Sequence, residues 1–312
     1  MRDRLSHPYV LLTLVALGWG ANAAVGKLAV GHISPMLLTL MRWGFAALIL
    51  SPFALPRIGK DWPVLRRHLP LLVGLGIIGF TGFNALFYLA LNYTTAINVV
   101  IEQASMPLFV FILSFLLFRV AATRFQMLGF VLTLCGVAIT AAHGDVSTLL
   151  HLDLNRGDAI MLSAVAVFGC FTVGIRYKPT VHWLSLMFFF SLVALVTSIP
   201  LAAIEWANDA TIIPDGRGIA IALFTAVFVS ILAQSLYIKA IEMVGANRAN
   251  LFVNLAPVFG AGLAVVIVGE KLHTYHALAL TLVLAGILIA ERSSRRDAAA
   301  QKAALISSTS IK

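Results

Sequence analysis

Charge is scarce in this sequence. Asp, Glu, Lys and Arg supply 11% of its 312 residues while 60% are hydrophobic, and a water-soluble domain of that size needs a far more polar surface. A large soluble domain is excluded. Cysteine is nearly absent: Cys135 and Cys170 each lie in an apolar run with no second Cys or His beside them, so neither a disulfide framework nor a zinc site is indicated, and both read as structural. Catalytic signatures are missing as well. No HExxH, GxSxG or Walker A pattern occurs, and His32, His68 and His182 fall in loops, so the chain reads as a non-enzyme without cofactor or metal. Two further matches are spelling only. Gly74-Leu75-Gly76-Ile77-Ile78-Gly79 fits GxGxxG but sits inside an apolar run, where close helix packing explains it better, and Asn92-Tyr93-Thr94 merely spells a glycosylation sequon.

What the chain does have is apolar stretches long enough for a helix to cross a hydrocarbon core of roughly 30 Å. They fall at 8 to 29, 34 to 54, 70 to 91, 95 to 118, 125 to 143, 158 to 176, 182 to 205, 218 to 241, 246 to 268 and 274 to 291. The expectation is an all-α membrane protein of ten transmembrane helices. The first run follows Arg2 and Arg4 but is too long for a signal peptide, lacks a small-residue cleavage site and leads straight into a second span, so it is expected to be retained. Residues 292 to 312 turn polar and rich in Ala and Ser, and are expected to form a disordered cytoplasmic tail.

The net charge of +9 does not mark nucleic acid as a partner, because the Lys and Arg are spread through short loops and form no basic face. Their reading is topological, since loops kept in the cytoplasm are enriched in Lys and Arg. Arg57, Lys60, Arg66, Arg67, Arg119, Arg124, Arg176 and Lys178 fall in alternate loops, whereas the loops holding Asp145, Asp153, Arg156 and Asp158, or Glu205, Asp209, Asp215 and Arg217, are acidic or balanced. Both termini are therefore expected in the cytoplasm of a multi-pass protein of the cell inner (plasma) membrane. Its expected partners are a small-molecule substrate and the lipid bilayer, with a homodimer left open.

An internal repeat is the strongest signal. At an offset of 150 residues, Pro107 meets Pro257, Ala90 meets Ala240, Phe109 meets Phe259, Leu132 meets Leu282, Gly136 meets Gly286, and polar Asn84 meets Gln234. Towards the N-terminus the match slips by one, setting Trp19-Gly20 against Phe168-Gly169. Five spans per copy is an odd number, so the second copy must enter the membrane from the opposite side. Residues 1–150 and 151–291 are thus expected to form two inverted five-helix repeats, the arrangement of many alternating-access transporters.

Several stretches resemble the drug/metabolite transporter superfamily, specifically its EamA-type exporters, which include bacterial amino-acid exporters. They are Gly18-Trp19-Gly20-Ala21-Asn22, Gly26-Lys27-Leu28, Leu40-Met41-Arg42-Trp43, Asn254-Leu255-Ala256-Pro257-Val258-Phe259, Gly269-Glu270-Lys271-Leu272 and Ala285-Gly286. The likeness covers about residues 8 to 291, and order and spacing make it specific. One departure is visible: where the family has a first Gly-Glu pair, this chain has Arg119-Val120. The resemblance implies a basket of helices around a central cavity and export of small metabolites.

Candidate site residues follow from polarity inside the spans. Glu102 lies at a depth where a charged side chain costs about 2.5 to 3.5 kcal/mol, and with Asn98, Ser105 and neighbouring Gln103 it marks helix 4 as a cavity wall, for substrate or for protons. A structural, hydrogen-bonded glutamate is the alternative. Arg42 needs a carboxylate, carbonyls or water; it either meets a substrate carboxylate or pairs structurally, Glu102 being one conceivable partner. Lys27 is expected to snorkel to the interface. Asn250 and Asn254 share a helix face with Asn247, and either line the cavity or glue helices. Trp19, Asn22, Asn84, Phe168, Phe171, Gln234 and Tyr237 are further lining candidates, although aromatics at helical spacing also serve packing. Pro107 and Pro257 interrupt the helical ladder at equivalent positions and are expected to act as gating hinges.

The leading functional expectation is a secondary transporter exporting a small polar metabolite, amino acids first, because Glu102 together with basic groups suits a zwitterion. Efflux of lipophilic cations is the second reading. It is weakened because the resemblance implies, for the small multidrug relatives that do this, a membrane-embedded glutamate in helix 1, and helix 1 here carries none. A membrane-embedded enzyme or sensor would need a catalytic constellation or a signalling domain, and neither occurs.

Overall fold

The structure, a computed structural model, describes residues 7–119, 123–145, 155–244, 249, 252 and 254–309. Every regular element among them is helical. Seven stretches are long and apolar enough to cross a membrane, namely Pro8–Leu28, Pro35–Ala90, Ala96–Phe118, Arg124–Ala141, Arg156–Tyr177, Trp183–Ala207 and Gly216–Val244, while Ala256–Val268 and Thr274–Ala290 are shorter apolar helices. Each apolar window of the sequence overlaps one of them. The 56 residues of Pro35–Ala90 would reach about 84 Å as a straight rod. The run instead folds back at a 3₁₀ turn, Arg66–His68, so that the Trp43 indole N–H donates to the Phe80 carbonyl at 3.2 Å.

In chain order we label α1 Pro8–Leu28, α2 Pro35–Leu65, α3 Leu69–Gly76, α4 Phe83–Ala90, α5 Ala96–Gln103, α6 Met106–Phe118, α7 Arg124–Ala141, α8 Arg156–Gly174, α9 Trp183–Ala207, α10 Gly216–Phe224, α11 Ala233–Val244, α12 Ala256–Leu263 and α13 Thr274–Thr309. A π-helical segment, Ile77–Gly82, joins α3 to α4, and another, Thr225–Leu232, joins α10 to α11 at matching places under the 150-residue offset. Packing follows the same correspondence. α7 runs along α13 and α2 along α9, while α1 packs on α11 and α12 as α8 packs on α4 and α6.

Polarity is inverted relative to a soluble globule. Asn22, Arg42, Asn84, Asn98, Glu102, Asp158 and His276 are buried, while Leu116 is 67% and Val266 81% exposed, as expected where hydrocarbon replaces water as the solvent. Small residues let backbones approach. A Cβ on Gly129 would collide with the Gly286 carbonyl, and one on Gly136 would sit 2.7 Å from the Ala279 carbonyl, so α7 and α13 meet nearly backbone to backbone. Of the GxGxxG glycines, Gly76 faces Val193 and Gly79 faces Phe171, which is the packing role expected.

Acidic side chains fasten helix starts, where free N–H groups and the helix dipole favour an anion. Glu270 accepts from the Ala96 and Ile97 N–H groups at 2.7 and 3.0 Å, which gives the intact Gly-Glu pair its structural role. Glu205 accepts from the Ser34 hydroxyl at 2.5 Å and from the Met36 and Leu37 N–H groups at 3.3 and 3.2 Å. Asp61 accepts from the His182 N–H at 3.2 Å, just ahead of α9. Lys27, expected to snorkel to the interface, donates its Nζ to the Leu91 and Thr94 carbonyls, both at 2.7 Å, in the loop that follows α4.

Two expectations are corrected here. The tail is not irregular from 292 onward, since α13 continues to Thr309; Ala298, Ala299, Ala300, Gln301, Lys302, Ala303 and Ala304 are strong helix formers and no Gly or Pro interrupts them. The prolines, moreover, do not kink continuous helices. Each stands in the first turn of a new one, Pro107 in α6 after a break at Ala104–Ser105 and Pro257 in α12 after a turn at Asn254–Leu255, where its missing N–H costs nothing.

Candidate functional site

A cavity of about 700 Å³ opens between the helices, large enough for a small metabolite. Of the residues expected in the site, Trp19, Asn22, Arg42, Asn84, Gln103, Phe168, Phe171, Gln234 and Asn254 line it, with Pro107 and Pro257 at the broken helices. The walls come from α1, α2, α4 to α6, α8, α9 and α11 to α13 together with both π-helical joints. Rings dominate: Trp43, Phe80, Phe83, Trp183 and Phe190 join Trp19, Phe168 and Phe171. Phe80 packs on Trp43 and Phe190, each at 4.9 Å between centroids, and Phe83 on Phe168 at 4.8 Å.

Arg42 is the buried charge of this wall. It is 5% exposed, and all its described hydrogen bonds go to neutral oxygens: Nε to Ser230 Oγ at 2.9 Å, Nη1 to Asn22 Oδ1 at 3.1 Å and Nη1 to Tyr88 Oη at 2.5 Å. The Tyr88 hydroxyl in turn donates to Asn22 Oδ1 at 3.1 Å. A guanidinium has five N–H donors. These three bonds use Nε and both hydrogens of Nη1, which leaves the pair on Nη2 without a partner among the described residues, on a side chain that lines the cavity. The expected pairing with Glu102 does not occur, and the ion pair found among the described residues is His32 with Asp215, at a loop surface. Among the described residues of the lining, Lys178, at the end of the turn that follows α8, is the other cation, and none is Asp or Glu.

Three expected site residues lie elsewhere, and a fourth is outside the described residues. Glu102 is fully buried and outside the cavity wall, because α5 turns Val100, Gln103 and Ala104 to the cavity and the opposite face into the protein. Asn98 follows the same face and is held by Thr94, Asp158 and His276. Tyr237 stands behind the wall, its ring edge-on to Trp19 at 5.1 Å. Asn250, like Asn247, falls outside the described residues. With Glu102 removed from the cavity, the argument for a site carrying both charges is withdrawn.

Sequence reading missed Ser230, Lys178 and the second set of rings. Ser230 sits on a π-helical segment, whose wider turn shifts the face that a regular 3.6-residue period would give it. The run Phe188-Phe189-Phe190 was visible in the sequence, but three consecutive phenylalanines do not say which one faces inward; Phe190 does.

With this geometry in hand, comparison with known proteins is direct. The sequence model of the EamA-like transporter family matches residues 7–142 and again 155–291. "Uncharacterized transporter YyaM" of Bacillus subtilis (strain 168) is 28% identical over 288 residues, 90% of this chain and 92% of that protein. "Uncharacterized transporter YetK" of the same organism is 26% identical, over 90% of this chain and 86% of its own. A solved structure titled "Crystal structure of protein" aligns with a TM-score of 0.62 at 19% identity, over 92% of this chain and 97% of that one, a likeness of fold.

Proposed function

Since this chain belongs to the EamA-like transporter family, whose pattern it carries twice, we propose that it is a secondary transporter exporting small carboxylate-bearing metabolites, amino acids first, by alternating access. The observation that carries the substrate class is Arg42. A buried guanidinium whose described partners are neutral and leave two of its donors unused, in a cavity whose described lining includes Lys178 and no carboxylate, suits a planar anionic group. The aromatic walls would take the apolar part of the substrate, and their ring faces would take an ammonium. Efflux of lipophilic cations is the less supported reading, because two basic residues would oppose such a cargo.

The proposed architecture is ten spans in two inverted five-helix repeats, residues 1–150 and 151–291, in the cell inner membrane with both termini cytoplasmic. The paired helix contacts and the two family matches support it. So do the loops: residues at 32 to 34 bond to 205, 212 and 215, Lys27 bonds to Leu91 and Thr94, and Asp61 bonds to His182, each joining loops that an alternating topology places on one side. Pro107 and Pro257, beside the two helix breaks, are the proposed hinges, and Asn254 and Gln234 the proposed polar contacts.

The test is uptake into proteoliposomes of three labelled probes: phenylalanine, 3-phenylpropionate, which lacks the amine, and phenethylamine, which lacks the carboxylate. Transport of phenylalanine and exclusion of phenethylamine is the expected result. Transport of phenethylamine alone would replace this reading with cation efflux.

A further inference from the structure

Behind the cavity wall lies a second polar cluster that substrate binding does not use. Glu102 on α5 is fully buried, and neither of its carboxylate oxygens has a hydrogen-bond partner; Asp158 on α8, within its electrostatic reach, is also fully buried and leaves Oδ2 unpartnered. Three acceptor oxygens of two acidic groups thus stand without a donor. The described donors that reach Asp158 all go to its other oxygen, Oδ1. The Thr94 hydroxyl donates to Asp158 Oδ1, and the Asn98 amide donates to Thr94 Oγ1 at 3.2 Å and to the same Asp158 Oδ1 at 3.4 Å.

The fifth member, His276, has a fixed protonation pattern. His276 Nδ1 accepts the His273 backbone N–H at 3.1 Å, so its proton sits on Nε2, from which it donates to Asn98 Oδ1 at 3.2 Å. His276 is therefore a neutral link with both nitrogens engaged. The other titratable groups facing the cluster are Tyr275 from α13, His143 from the end of α7 and His273 from the turn before α13. Both histidines are exposed, which places a route to water at one end of the cluster. No Lys or Arg among the described residues bonds to either carboxylate, and no group of three or more His, Cys, Asp or Glu among them could hold a metal ion.

We propose that Glu102 and Asp158 form a proton-binding site, apart from the substrate cavity, through which transport is coupled to a pH gradient. Two anionic carboxylates without counter-charge are costly in a low-dielectric interior, and each proton bound by the pair removes one of the two charges and supplies one O–H donor. The site is linked to the cavity by one helix. α5 carries Glu102 on its buried face and Val100 and Gln103 on the cavity face, and it ends at the break of Ala104–Ser105, so repulsion between the deprotonated pair would move the wall as a unit. This inference deepens the transporter reading and rests on it for its coupling role only.

Two measurements test it separately. Infrared spectra of the reconstituted protein need no substrate. A protonated-carboxyl band that vanishes on alkaline titration of the wild type, and is diminished in both Glu102→Gln and Asp158→Asn, is the expected result. A band that neither variant changes overturns the site. In proteoliposomes loaded with labelled phenylalanine, the ratio of gradient-driven flux to exchange at equal pH should fall in Glu102→Gln to its value without a gradient. An unchanged ratio overturns the coupling. Failure of wild-type protein to carry phenylalanine at all would count against the substrate reading, and the infrared result would still decide the proton site.

Discussion

Gly129 and Gly286 lie so close that a side-chain carbon on either would collide with the other's carbonyl oxygen. Shifted by 150 residues, this contact becomes Gly136 against Ala279, which is also present. A contact that recurs between the exchanged positions in this way is what a two-fold relation between the halves would produce.

Gly286→Leu should therefore destabilise the protein, because what it meets is backbone and cannot rotate away. Overpacking of this kind costs about 1–3 kcal/mol. Thermal melting in detergent should show the drop, with a smaller one for Gly262→Leu, where a new Cβ meets nothing within 4 Å. Equal melting temperatures for the two variants would refute the close-contact account.

Arg42→Lys keeps the charge but loses the planar fork and the donors aimed at Asn22, Tyr88 and the cavity. Loss of charge-assisted bonds worth about 1.5–3 kcal/mol corresponds to binding weaker by roughly tenfold to a hundredfold. Direct binding of labelled phenylalanine, on protein whose melting temperature is checked in parallel, measures it. Unaltered affinity would move the carboxylate away from Arg42.

Asp215 supplies a pH dependence with a definite sign. Its carboxyl is held below the usual carboxylate range, first by the Gly218 backbone N–H at 2.8 Å and next by His32 at 2.7 Å. A group depressed in the native state contributes its full stabilisation above the unfolded value of about 3.9, and loses it as pH falls through the native value. Melting curves of Asp215→Ala should accordingly fall less steeply than those of the wild type on acidification below that value. Parallel curves would mean the cap adds nothing.

Much of this was legible in the sequence because hydrocarbon imposes length and polarity rules that leave few alternatives. Each apolar window overlaps a helix, and the offset that aligned Asn84 with Gln234 also aligns two π-helical joints that no residue pattern announces. Most lining candidates were legible too, being polar or aromatic residues at membrane depth. Glu102 shows where that logic stops. Depth says that a carboxylate must avoid lipid, but helix periodicity does not say whether it turns towards the cavity or into the protein, within electrostatic reach of Asp158 on another helix, a relation that needs tertiary structure to be seen. The carboxylate caps at Glu205 and Glu270 escaped for the same reason, their N–H partners being well over a hundred residues away.

Orientation is open to a direct test. Reporters fused after Arg296 and beside Lys60 should both signal cytoplasm, and one beside Asp145 the exterior, as the distribution of Lys and Arg requires. A cytoplasmic signal at Asp145 would undo the inverted arrangement.

The carboxylate caps also bear on biogenesis. The first turns of α2 and α5 are tied down by Glu205 and Glu270, which the ribosome adds long after those helices have been made. During synthesis the early helices wait in the bilayer with bare N–H groups, and their final seating is deferred until the late segments arrive. A ribosome stalled before residue 205 would thus leave a nascent chain with its early helices inserted but not yet locked, and the translocon or lipid headgroups would have to solvate those ends in the meantime.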